Sequence, residues 1–173
     1  VTANGGVGSN AAATAYGIMN ENSGSSVSAG SLTFTGVNAT GGNASTTGNA
    51  YANANVLDNN NGGSVTATGA ITAAATATGG YGPTASASAY GLENSGTISG
   101  TNFDLTLTAT GGTGTVAGVE NTDDSAEACA VENSGTFSMS GGANKIKVTA
   151  TGGKSSDNAV VYARAYGIRN SGS

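Results

Sequence analysis

The chain has 173 residues, of which 30 are glycine, one is proline and 9% are charged. A single cysteine excludes an internal disulfide framework, and the lack of histidine removes the usual zinc-ligand sets. The net charge is −5, and a mostly acidic surface disfavours nucleic-acid binding.

Membrane insertion is also disfavoured, since no apolar run approaches the roughly 20 residues of a transmembrane helix. The chain begins at Val1 and not at methionine, and no signal peptide is recognisable. We therefore expect either a processed product or a fragment of a longer protein.

The chain repeats one ten-residue phrase five times. Its copies begin at Ala13, Ala52, Ala87, Ala126 and Ala163. An asparagine closes the core of each copy, at Asn20, Asn59, Asn94, Asn133 and Asn170, so the steps are 39, 35, 39 and 37 residues. A period of this length indicates stacked copies of one supersecondary unit and not a single layered core.

The chain opens on a strand at Val1–Asn4, which a Gly-Gly pair ends before a variable loop. The first copy of the phrase follows. Its small residues Ala13 and Ala15 alternate with polar ones, which predicts a strand whose small side chains point inward. The alternation of inward and outward side chains then shifts by one residue, at the position where the third copy has Gly91, which permits a bend. An aliphatic side chain that must be buried comes next in every copy, at Ile18, Leu57, Leu92, Val131 and Ile168.

The asparagine after this aliphatic column begins a sharp corner, because Asn and Gly tolerate positive φ. In a stack of coils the five asparagines lie above one another. Their amides can then hydrogen-bond along the stacking axis. We therefore predict a structural asparagine ladder.

Two more strands complete the coil. A short one, such as Thr97–Ser99, points a single apolar residue inward. A longer one points Leu105, Leu107 and Ala109 inward and threonines outward. The outward residues predict a threonine face made of Thr76, Thr78, Thr108, Thr110, Thr149 and Thr151.

We therefore predict an all-β fold, a parallel β-helix (β-solenoid) of four to five coils, with three strands per coil of about 37 residues. We expect it to be right-handed, following the bias of parallel connections. Residues 1–173 form one domain, with coil units at approximately 1–42, 43–80, 81–112 and 113–153 and a partial unit at 154–173.

The phrases AYGI-x-NSG and GLENSGTISG resemble repeats of bacterial surface β-helical proteins, the autotransporter passengers and filamentous-haemagglutinin-like adhesins. The resemblance spans nearly the whole chain. It implies a right-handed β-helix that is secreted or exposed on a bacterial surface, with a scaffolding or adhesive role that can involve glycans or cell surfaces.

Catalysis is not expected. Four acids, Glu120, Asp123, Asp124 and Glu127, lie in or beside the longest loop, with no aromatic platform or basic partner nearby in sequence. Oxygen ligands at Glu120, Asp123 and Asp124 would suit Ca²⁺. Their spacing fits neither an EF-hand nor a nonapeptide repeat, so we favour a solvated acidic loop and no cofactor.

The threonine face raises the hypothesis of ice binding, because ice-binding solenoids display regular hydroxyl-and-methyl surfaces. The competing interpretation is that threonine is simply a good exposed residue in a strand. Asn4 and Asn38 interrupt the array.

Our leading hypothesis is a structural subunit of a secreted, self-assembling extracellular filament. The sequence shows no capping helix at either end, and an uncapped solenoid end is an unpaired rung that can add another chain. Successive copies of the chain would then stack head to tail. The alternative is a fragment of a surface adhesin that binds a host or a glycan.

Charge is distributed so as to suit head-to-tail contacts. All five bases lie in residues 145–173, which carry +4, whereas residues 1–144 carry −9. The predicted assembly charges are Lys145, Lys147, Lys154, Arg164 and Arg169 at one end and Glu21 and Asp58 at the other.

Overall fold

The computed structural model describes residues 1–45, 48–114, 125–154 and 161–173, which form 18 strands in four parallel sheets. Each strand pairs with its counterpart in the neighbouring coil. Along the asparagine column these counterparts are 39, 35, 39 and 37 residues apart. The predicted all-β parallel solenoid is confirmed, and its handedness stays a prediction.

Two sheets contain the longer strands. Sheet A comprises β1 (Thr2–Asn4), β5 (Leu32–Thr40), β9 (Ile71–Thr78), β13 (Phe103–Thr110) and β17 (Lys145–Thr151). Sheet C carries the repeated phrase and comprises β3 (Ala13–Asn20), β7 (Ala52–Asn59), β11 (Ala87–Asn94), β15 (Ala126–Asn133) and β18 (Ala163–Asn170).

The other two sheets are narrow. Sheet D comprises β4 (Ser26–Ala29), β8 (Ser64–Ala67), β12 (Thr97–Gly100) and β16 (Thr136–Met139). Sheet B comprises β2 (Val7–Gly8), β6 (Asn43–Ala44), β10 (Tyr81–Gly82) and β14 (Thr113–Gly114). The structure thus adds a fourth strand to the three expected per coil, because a two-residue strand is too short to show a period of two in the sequence.

The core lies between sheets A, C and D. Leu105, Leu107 and Ala109 of sheet A are fully buried, and they face the alanines and aliphatic residues of sheet C. Val56 and Leu57 are adjacent in sequence and both fully buried. Consecutive inward side chains require an interruption of the alternation, as predicted at this position of the repeat.

One glycine column marks the corner between sheets A and B. A Cβ on Gly42 would overlap the carbonyl oxygen of Gly6, and Gly80 and Gly112 stand in the same relation to the glycine one coil earlier. Gly6 itself has no atom within 4 Å of the position a Cβ would take, since it lies in the first of the described coils. Close backbone approach explains the recurring Gly-Gly pair.

We expect Gly112→Ala to lower the free energy of unfolding by roughly 1–3 kcal/mol, the usual cost of overpacking. The added methyl group would meet the carbonyl oxygen of Gly80 and the Cβ of Ala85. Chemical denaturation at low protein concentration measures the change. Gly6→Ala, in the same column, is the control and should unfold near the wild-type midpoint. Equal midpoints for the two variants would refute the close-approach explanation.

Candidate functional site

The five predicted ladder asparagines lie in one column at the corner between sheets C and D. The Nδ2 of each donates to the Oδ1 of the next, over 2.8 Å from Asn20 to Asn59 and 2.7 Å from Asn59 to Asn94. The two remaining steps, Asn94 to Asn133 and Asn133 to Asn170, measure 2.6 Å each. The ladder is therefore continuous over all five coils.

The ladder also fastens the corner that follows it. Asn94 Nδ2 donates to the carbonyl oxygen of Thr136 over 2.9 Å, and Asn94 Oδ1 accepts from the backbone N–H of Gly96 over 3.1 Å. Asn94 is 4% exposed. A buried amide that is fully hydrogen-bonded fixes the register of the coils it joins, because a shift by one residue would leave it unpaired.

Direction is a second property of the ladder. Every interior donor points toward the C-terminal coil, so the two ends differ. At the first coil Asn20 Oδ1 accepts from the Ser25 hydroxyl over 2.5 Å. At the last coil Asn170 Nδ2 donates to the Gly172 carbonyl oxygen over 3.2 Å. One end of the column therefore presents an amide oxygen and the other an amide N–H group.

The predicted aliphatic column lies beside the ladder and changes exposure along the axis. Leu57, Leu92 and Val131 are fully buried, Ile18 is partly buried, and Ile168 is 55% exposed. Inward-pointing residues of sheet A behave alike, since Leu105 is fully buried whereas Ile146 is 36% exposed. The core cross-section is therefore open at the last coil.

The first coil leaves a similar surface. Val27, Leu32 and Phe34 pack against the core but are only partly buried. On this side sheet A is covered by β1 alone, which pairs with Asn38–Thr40, so the start of β5 pairs only with β9 on its other side. Both ends of the described solenoid thus expose apolar side chains and strand edges.

The five basic residues lie on the last strands of sheets A and C and at Lys154, but some are already paired within the chain. Arg169 contacts Glu127 over 3.0 Å and Glu132 over 3.5 Å. Lys145 lies 3.8 Å from Asp104 in an exposed pair, which contributes little to stability. Arg164 lies over the Tyr162 ring at 5.0 Å.

The two predicted acidic partners are placed differently. Glu21 is exposed beside the first coil, whereas Asp58 is 6% exposed and accepts a hydrogen bond from Asn60. Burial raises the pKa of Asp58, and Glu21 raises it further. Asp58 lies one coil in from the first coil, so it is not at the end of the described solenoid.

The predicted threonine face occupies the outer side of sheet A. Thr76, Thr108 and Thr149 align in one column, and Thr78, Thr110 and Thr151 align in the next. Asn38 and Thr40 extend these columns by one coil, and Thr2 and Asn4 extend them by another. The array therefore has two columns and five coils.

The calcium hypothesis falls on Glu120, Asp123 and Asp124, which lie outside the described residues. Within the described ranges, no group of three or more Asp, Glu, Cys or His side chains is arranged to hold a metal ion. The same part of the chain contains no helix long and apolar enough to cross a membrane.

Sequence reasoning missed one feature, an acidic column made of Asp58, Glu93 and Glu132. These residues are in register on β7, β11 and β15. Each immediately precedes a ladder asparagine, so an alignment of the repeats would have placed the three acids in one column. The same column contains Met19 at the first coil and Arg169 at the last.

No family model, curated protein or solved structure matches this chain.

We expect Asn94→Ala to lower the free energy of unfolding by about 1–3 kcal/mol, the cost of leaving buried polar groups unpaired. The substitution removes the acceptor of Asn59 and the donor to Asn133. Urea denaturation measures the loss. Asn170→Ala, at the exposed end of the same ladder, is the control and should cost less. A similar loss of stability for both variants would contradict the expectation that the buried hydrogen bonds of Asn94 contribute more than the exposed end of the ladder.

Proposed function

We propose that this protein is a structural subunit that stacks head to tail with copies of itself into an extracellular filament. The observation that carries the proposal is the pair of open coils, whose apolar columns and strand edges are exposed at both ends of the described solenoid. Unpaired β-edges with apolar side chains bind further strands readily.

The columns of the repeat continue across such a junction. When β18 of one copy lies against β3 of the next, Ala165 meets Ala15, Tyr166 meets Tyr16 and Ile168 meets Ile18. Within the chain alanine already meets alanine and an aliphatic residue meets an aliphatic residue in these columns. The tyrosine contact would be new, because Tyr16 and Tyr166 have Asn55 and Cys129 as their neighbours. Burial of Ile168, which is 55% exposed, then contributes favourably at about 25 cal/mol per Å² of apolar surface.

The asparagine ladder favours a head-to-tail orientation. Asn170 Nδ2 of one copy can donate to Asn20 Oδ1 of the next, which extends the direction of the existing ladder. A head-to-head contact would oppose like groups of the two amides and would make the joining strands antiparallel. A contact between two different surfaces that does not close on itself generates a filament.

Charge has a smaller part in this proposal than the sequence suggested. Arg169 and Lys145 already pair with acids of their own chain. The column mate of Arg169 at the first coil is Met19, so a stacked neighbour offers it no carboxylate in register. Exposed ion pairs contribute about 0–1 kcal/mol each. We therefore expect the apolar and hydrogen-bonded columns to dominate the junction.

The glycine column provides a sharp test. In a head-to-tail stack, Gly6 would lie against the carbonyl oxygen of Gly153 of the preceding copy, as Gly42 lies against Gly6 within the chain. We expect wild-type protein to sediment as concentration-dependent polymers, whereas Gly6→Ala folds normally and stays monomeric. Electron micrographs of the wild type should show fibres with an axial repeat of about 24 Å, five coils of about 4.8 Å.

Ser99→Thr is the matched control, because it also adds one methyl group and lies on the inner strand β12, where Thr66 already occupies the same column one coil earlier. It should polymerise like the wild type. Wild-type protein that remains monomeric at high concentration and low salt would overturn the proposal. Polymerisation of Gly6→Ala at the wild-type concentration would overturn the proposed stacking.

The in-register threonine face favours ice binding as a second candidate function. The threonines within a column are one coil apart along the axis, and the two columns are two residues apart along the strand. This arrangement makes a regular uncharged surface. We expect thermal hysteresis for the wild type and its loss on Thr108→Lys, in the middle of the array. Absence of hysteresis in the wild type would exclude this candidate.

A further inference from the structure

The acidic column of Asp58, Glu93 and Glu132 places three like charges on consecutive coils. Glu93 pairs in register with Asp58 on one side and with Glu132 on the other. Neighbouring parallel strands are about 4.8 Å apart, so each carboxylate has another carboxylate as its axial neighbour. Like charges directly opposite each other on adjacent strands are destabilising.

The middle of the column is withdrawn from water. Asp58 is 6% exposed and Glu93 is half-buried. Asn55 Nδ2 donates to Glu93 Oε2, and Asn55 is itself only 3% exposed. Its Oδ1 has no hydrogen-bond partner in the described structure. Asn55 thus supplies a single neutral donor to Glu93.

No base among the described residues compensates Glu93 directly. Arg169 ends the column, but its contacts are with Glu127 and Glu132. The remaining titratable groups around Glu93 are acids or neutral donors. They are Asp58 on β7, Glu127, Cys129 and Glu132 on β15, Tyr90 on its own strand and Tyr16 on β3.

These surroundings raise the pKa of Glu93 to about 7. Burial is the largest cause, the negative charges of Asp58 and Glu132 add to it, and the hydrogen bond from Asn55 opposes it. The carboxyl therefore carries a proton in the folded chain at pH values where an exposed glutamate is ionised.

We propose that the acidic column is a proton-sensitive element that takes up a proton at Glu93 when the coils stack and that loosens the solenoid when the proton is lost. Protonation removes the central charge of the column. It also gives Glu93 an O–H group that can donate a hydrogen bond.

The direction of the pH effect follows from linkage. The folded pKa of Glu93 lies above its usual value of 4.5, so between these two values the folded state binds more protons than the unfolded state. Stability from this group is therefore fully present at low pH and falls as pH rises from about 4.5 to about 7, after which the loss is complete.

Glu93→Gln in the full chain tests the proposal. Gln keeps the shape and the neutral charge of the protonated acid. We expect a melting temperature several degrees above the wild type at about pH 8, with most of this difference gone at about pH 5. Asp104→Asn removes an exposed carboxylate on sheet A and is the charge-matched control, which should show no such pH-dependent gain.

Infrared spectroscopy of the wild type measures the protonation of Glu93 directly and does not depend on the folding of a variant. The infrared carbonyl band of a neutral carboxyl group should appear with a midpoint near pH 7 and be missing from Glu93→Gln. A wild-type band that titrates only near 4.5, or an equal stability change at both pH values, would overturn the proposal.

Discussion

Each coil of this solenoid hydrogen-bonds to its neighbours through parallel strands, so a side chain on a paired strand has a counterpart on the next coil about 4.8 Å away. Any residue type used at one position must therefore tolerate a near copy of itself along the axis. Asparagine meets this requirement well, because its amide is both donor and acceptor. Glycine is required where the corner of one coil approaches the carbonyl oxygen of another.

The same constraint makes a column of carboxylates costly, which is why Asp58, Glu93 and Glu132 stand out. The structure relieves the charge at one end with Arg169 and leaves the centre without a base. Hydrogen-bonded and apolar columns stabilise the stack, whereas this column makes its stability depend on protons. The solenoid thus combines rigid columns with one that responds to its surroundings.

Much of the fold could be predicted from the sequence because the repeats align the residues that the structure stacks. The strands around Leu105 and Leu92 have clear inward and outward positions, and the corner after Asn94 follows from its Asn and Gly residues. The two-residue strands of sheet B could not be predicted, since Tyr81 and Gly82 pair through backbone geometry alone. The in-chain contacts of Arg169 were also hidden, because they depend on side-chain reach between coils.

Repeat length along the asparagine column varies from 35 to 39 residues, yet the strands of sheets C and D pair without a register shift. Sheet A does so as well, apart from one shift between Phe34 and Val37. The difference is taken up mainly in the segments that join sheet B to sheet C, with smaller changes at the corners before and after sheet D. A whole coil could consequently be duplicated or deleted between equivalent positions, such as Ala52 and Ala87, without disturbing any column. Unequal recombination within such a gene would change the length of the rod in steps of one coil while its cross-section stays the same.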